Sequence, residues 1–140
     1  RSSSSAASDV YKRQVYMSEE KNILNDLGEV KEELKLIIEV LEDKKGNDIR
    51  IFDIREQSSV TDFVILVSAI SEPHAKALKI NLDKMIQEKG IPVIGNDNES
   101  SSGWMVLDAF NFMVHIQTTE MRSFYELEEL WKDTVEVDFS

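Results

Sequence analysis

Side chains able to do covalent or metal chemistry are sparse in this 140-residue chain. Cysteine is absent, histidine occurs twice, at His74 and His115, and Asp53, Asp62 and Asp108 stand singly at the ends or edges of apolar runs. Metal-dependent nucleotidyl transfer needs two or three carboxylates on adjacent strand positions, holding two ions about 4 Å apart. No Asp-x-Asp falls on a predicted strand, and the acidic alternation of Glu136 and Asp138 lies in the C-terminal tail. Phosphate loops and dinucleotide sites need closely spaced glycines at a strand-to-helix turn, whereas Gly28, Gly46, Gly90, Gly95 and Gly103 are scattered. His115 sits between Val114 and Ile116, where a histidine held by a local partner is commoner than a catalytic base. His74 reads as an exposed residue in a first helical turn, and two distant histidines without cysteine form no recognisable zinc site. No catalytic constellation, metal site or cofactor site is expected.

Binding through surface contact is the chemistry that remains. The block from Gly103 to Trp131 holds both tryptophans, His115 and three of the six phenylalanines. Large aromatic groups supply the anchors of protein interfaces, and Asp62, Asp108, Glu120 and Glu126 around them would meet a basic partner. Helical spacing assigns Phe124 and Trp131 to the core. Trp104, at the mouth of a polar loop, and Tyr125, beside the apolar stripe, are expected to be exposed, so that truncating either should leave the melting temperature nearly unchanged.

These residues need elements to hold them. Residues 104 to 109 and 111 to 117 read as two strands of a tight hairpin broken at Phe110 and Asn111. A helix capped by Thr118 or Thr119 is predicted to follow, with Met121, Phe124, Leu127 and Trp131 on one apolar stripe. Upstream, Ile23, Leu27, Val30, Leu34, Ile37 and Leu41 mark a helix from Ser18, ended by Lys44 and Lys45 and a left-handed cap at Gly46. The same spacing would suit a short dimer seam, but a helix laid on its own sheet is the simpler reading. Strands are expected at 48 to 54, at 62 to 69 as a central strand buried on both faces, and at 91 to 94. Ser71 and Pro73 open a helix that Gly90 closes. Residues 95 to 102 read as a polar loop, and 133 to 140 as a frayed acidic tail.

Residues 1 to 16, Ser-rich and without period, have a faint organelle-transit composition but read better as a leftover preceding a start at Met17, so one domain is expected over 17 to 132. The 41% hydrophobic content suffices for a core without staples. No apolar run approaches the ~20 residues that span a bilayer, so a soluble, cytoplasmic protein with no membrane partner is expected. The net charge is −11, and −13 without the first sixteen residues, which argues against broad contact with nucleic acid.

The stretches LKLIIEVLEDKKGNDIRIFDI, SSVTDFVILVSAISE and GWMVLDAFNFMVHIQTTEMRSFYELEELW resemble the ribosomal silencing factor family, also called RsfS or Iojap. The match runs from about Leu34 to Trp131 and is most specific in the last block: Trp104 to Asp108, Val114 to Ile116, then Arg122, Phe124, Tyr125, Leu127, Glu128, Leu130 and Trp131. Ser68 and Ala69 stand where the family has Ser-Gly, and Phe110 and Asn111 where it has Gly-Asp. The resemblance implies a mixed α/β domain with a five-stranded sheet, similar to nucleotidyltransferases but lacking their catalytic acids. It further implies a non-enzymatic factor that binds the large ribosomal subunit through ribosomal protein uL14, blocks joining with the small subunit and represses translation under nutrient limitation. The docking residues then expected are Asp62, Trp104, Met105, Asp108, His115, Glu120, Arg122 and Tyr125. Two other readings stay open: a divergent nucleotide-binding protein using Ser68, Asp53 and Asp62, and a homodimeric scaffold built on the first helix.

Overall fold

The computed structural model describes residues 19–58, 61–97 and 103–138, with side chains described from residue 30 onward except at 96 and 97. Residues 1 to 16, Met17, and the side chains of Ile23 and Leu27 in the seam therefore lie outside the described residues. The chain divides into two compact units, Arg1–Lys35 and Leu36–Ser140. Helix α1, Glu19–Asp43, begins in the first and ends in the second. The second unit then adds strand β1 (Asn47–Asp53), strand β2 (Phe63–Ala69), helix α2 (Glu72–Lys89), strand β3 (Val93–Asp97), strand β4 (Trp104–Ala109), strand β5 (Phe112–Thr118), helix α3 (Thr119–Tyr125), a 3-10 helix (Leu127–Trp131) and strand β6 (Val135–Val137).

The strands form one mixed sheet in the order β3-β4-β5-β2-β1-β6. Only β2 and β5 run parallel, which requires the long crossover that α2, β3 and β4 supply. All seven residues of β2 are buried, as its unbroken apolar run predicts. Ser71 caps α2 by accepting from the His74 N–H, and Gly90 closes it in the left-handed region at φ 69°. Ala75, Leu78, Leu82, Met85 and Ile86 make its buried stripe, and α2 packs against β2, β4 and β5. One side of the sheet is thereby a closed apolar layer, with Ile65, Val67, Leu107, Phe112, Val114 and Ile116 wholly buried.

Five expectations are corrected. The sheet has six strands, because the tail is not frayed through Val137: β6 pairs with β1 and Glu136 forms a bidentate ion pair with Arg50 at 2.8 and 2.9 Å. Residues 139 and 140 lie outside the described residues. The left-handed residue after α1 is Lys45, at φ 68°, whereas Gly46 is needed for close approach, since a Cβ there would stand 2.7 Å from Val67 and 2.9 Å from the Leu41 carbonyl oxygen. Strand β3 extends through Asp97, because Asn96 and Asp97 pair with Leu107 and Val106; the remainder of that polar loop lies outside the described residues, apart from its neighbour Gly103. The helix after β5 is not continuous to Trp131. Glu126 adopts φ 47° and ends α3 after two turns, so the chain restarts as a 3-10 helix with a different face inward. Phe124 consequently points to solvent, 78% exposed, rather than into the core.

Candidate docking site

The side of the sheet away from α2 carries the aromatic block, and strand register lays it out in three rows. Glu136, Phe52, Val64, Met113 and Asp108 form the first; Arg50, Leu66, His115 and Val106 the second; Ser68, Gln117 and Trp104 the third. Helix α3 and the 3-10 helix cover part of this face. Leu127 is buried with Phe52, Ile54, Val64 and Leu66, and Trp104 and Trp131 pack against that cluster while remaining partly exposed. Trp131, expected in the core, thus sits at its margin, 6.0 Å from the Phe52 ring and 6.2 Å from His115.

Arg122 anchors the cover. Its Nη1 donates to Ser68 Oγ at 2.9 Å and to the Asp48 carbonyl at 2.8 Å, and its Nε donates to Glu128 at 3.4 Å. Nη2 lies 3.5 Å from an Asp48 carboxylate oxygen, within ion-pair range but without a hydrogen bond. One guanidinium therefore ties α3 to β2, to the start of β1 and to the 3-10 helix. A planar five-donor group suits such a junction, because its donors are spread over separate nitrogens, whereas those of lysine sit on one.

His115 is 9% exposed and accepts a hydrogen bond at Nδ1 from the Trp104 indole N–H at 3.1 Å. An accepting Nδ1 requires the neutral ring with its proton on Nε2. Burial enforces the same state by lowering the imidazole pKa from 6.5 to about 4. The indole is thereby held at the edge of the cover, with its ring centre 4.9 Å from Tyr125, which in turn stacks edge-on with Phe124.

The expected docking residues separate into two groups. Trp104, Asp62 and Asp108 are half-buried, and Glu120 and Tyr125 are exposed, so these five reach the surface. Met105, His115 and Arg122 do not, because Met105 faces the α2 side at 2% exposure and the other two lie beneath the cover. Their burial runs against the expectation that these three side chains contact a partner directly; His115 and Arg122 instead bond Trp104 and the segments around α3. Nor do the acids form one patch. Asp62 precedes β2 and Glu120 follows β5, at opposite ends of a parallel pair seven residues long, roughly 20 Å apart at ~3.3 Å per residue. Asp108 does lie on the open face, and burial raises its carboxyl pKa above the ordinary value. Sequence reasoning missed Val106 and Met113, half-buried beside it, and Leu130, 70% exposed. Strict alternation along β4 was the available signal for Val106, whereas Leu130 depends on the unforeseen break at Glu126.

The residues a nucleotide site would use are committed elsewhere. Ser68 is 5% exposed and bonded to Arg122, and both Asp53 oxygens accept from Arg55 at 2.7 and 2.9 Å. Among the described residues no group of three or more His, Cys, Asp or Glu could hold a metal ion. His74, expected to be exposed, instead braces two segments: its Nδ1 accepts from the Ile70 N–H and its Nε2 donates to the Lys44 carbonyl at 2.8 Å. No described helix is long and apolar enough to cross a membrane.

Comparison with known proteins places this architecture. The family model described as ribosomal silencing factor during starvation matches residues 28–140. A ribosomal silencing factor RsfS from Chromobacterium violaceum is 33% identical over 103 residues, covering 74% of this chain and 84% of its own. A crystal structure of a protein from the same organism superposes with a TM-score of 0.69 at 32% identity, over 73% of this chain and 85% of that one. A mouse protein named mitochondrial assembly of ribosomal large subunit protein 1 is 24% identical over 102 residues, 71% of this chain and 45% of its own length. With most of its length matched by the family model and a bacterial relative one third identical, the chain belongs to the ribosomal silencing factor family.

Proposed function

We propose that this protein docks on the large ribosomal subunit through uL14 and fills space that the small subunit needs, so that joining is blocked and translation falls under nutrient limitation. One observation supports the reading above the others: a held, incompletely covered aromatic corner made by Trp104 and Tyr125, on the same face of the sheet as the acid Asp108. Aromatic anchors fixed before binding lose little conformational entropy on docking, which is where interface affinity is commonly lost. The net charge of −11 directs this face toward a basic protein surface rather than toward phosphate. An interface of roughly 1,600 Å² would suffice, because a bound body excludes the other subunit without doing further work.

Purified protein is expected to co-sediment with large subunits and to suppress formation of joined ribosomes. Tyr125→Ala should weaken binding by about tenfold or more, as for an interface anchor, while leaving the melting temperature in place because the ring is 49% exposed. Normal joining at a saturating excess of the wild-type protein would defeat the proposal.

A further inference from the structure

Beyond the aromatic corner, the cover leaves a second recess. It lies at the first row of the sheet, between a floor of Ile54, Val64 and Met113 and a wall of Leu130 and Trp131, and encloses about 470 Å³. Two features set it apart from an ordinary gap beside a helix. Leu130 stands at its wall 70% exposed, although the neighbouring Leu127 is buried.

The second feature is charge. None of the lining residues is cationic, and Asp133 stands among them. The floor continues across Met113 to Asp108, its register partner on β4, one strand spacing or roughly 5 Å away. Asp108 has Gly95, which carries no side chain, as its register partner on β3. Its Oδ1 is shut off from solvent and has no hydrogen-bond partner, although the residue as a whole is only half-buried. A carboxylate that has lost hydration at one oxygen gains more from an incoming cation than a fully hydrated one does.

We infer that the recess and Asp108 together form a second anchor point, which takes an apolar side chain of a protein segment next to a lysine or arginine. The apolar side chain enters between Met113 and Leu130, and the cation reaches Asp108 from its solvent-facing side. This rests on the docking function proposed above and extends it, from the Trp104 and Tyr125 corner to the hairpin end of the same face. An RNA segment fits poorly, because its phosphates would meet Asp108 and Asp133 with no cation between them.

The test measures the affinity of the full chain for purified large subunits, for wild type, Asp108→Asn and Leu130→Glu, over a range of salt concentrations. Leu130 is exposed and Asn matches Asp in shape, so both variants should fold, which thermal melts check. Each is expected to bind at least about fivefold more weakly than wild type, and Asp108→Asn should flatten the salt dependence. Affinities within twofold of wild type for both would overturn the inference while leaving the docking function standing. Tighter binding by Asp108→Asn would also overturn it, by placing phosphate at this site. No binding by the wild type would remove both readings.

Discussion

The two faces of the sheet are built by different means. Under α2 the layer is apolar, continuous and closed, and its residues are held mainly by packing. On the opposite face the cover is one short helix and a single 3-10 turn, held by a guanidinium, an indole-to-imidazole hydrogen bond and stacked rings. Directional contacts can stop partway across a sheet, whereas an apolar layer that stopped partway would expose its edge to water. The face proposed to meet a partner is the one held by directed bonds.

Mutations that treat the two faces alike should separate them. Phe112→Ala removes a wholly buried ring that lies 6.2 Å from Phe63, and should cost about 3–5 kcal/mol in urea unfolding, with binding lost only through unfolding. A loss below 1 kcal/mol would mean that this layer is not closed. Arg122→Met tests the other face: it strands Ser68, Glu128 and the Asp48 carbonyl, and should cost about 3 kcal/mol. Ribosome binding should fall further than stability explains, because Trp104 and Tyr125 lose their frame.

Acid should act selectively on the directed face. His115 has a folded pKa of about 4 against 6.5 for the free side chain, so the unfolded chain takes up a proton that the folded chain refuses. Its contribution is complete above pH 6.5, is lost as the pH falls through that window, and levels off below about pH 4. The total approaches about 3 kcal/mol. His115→Gln should flatten this part of the stability-versus-pH curve, and an unchanged curve would show that the imidazole is not buried neutral. The smallest effect is expected at the margin: Glu136→Gln breaks an exposed ion pair with Arg50 and should cost under about 1 kcal/mol, less at high salt.

The closed face was the more legible in the sequence. The unbroken run of β2, the Ser71 and Gly90 caps, and the i, i+3, i+4 stripe of α2 are local signals, and each element formed where its own residues required it. The directed face was legible only in its parts. Tyr125 was recognisable as a surface aromatic, whereas Trp104, also expected to be exposed, is half-buried against the core cluster and bonded to His115. The left-handed turn at Glu126 carries no glycine to announce it. Without that turn Phe124 belongs to the core stripe, and Leu130 has no reason to point outward. Strand β6 was missed for a similar reason: Val-Glu-Val is too short and acidic to declare itself, and its partner is β1, where Glu136 meets Arg50, 86 positions away. Interactions between distant residues decide these features, and a single sequence does not print them.

The parallel pairing of β2 with β5 also bears on how the chain is made. Phe63 meets Phe112, 49 positions later, so the most apolar strand leaves the synthesising ribosome long before its partner does. At ordinary elongation rates of about 5–20 residues per second, that interval is roughly 2–10 s. Throughout it β2 can pair only with β1, leaving one edge of a hydrophobic strand open to other nascent chains. Slowed translation lengthens that exposure, so a member of a family described as acting during starvation is itself harder to make when elongation is slow.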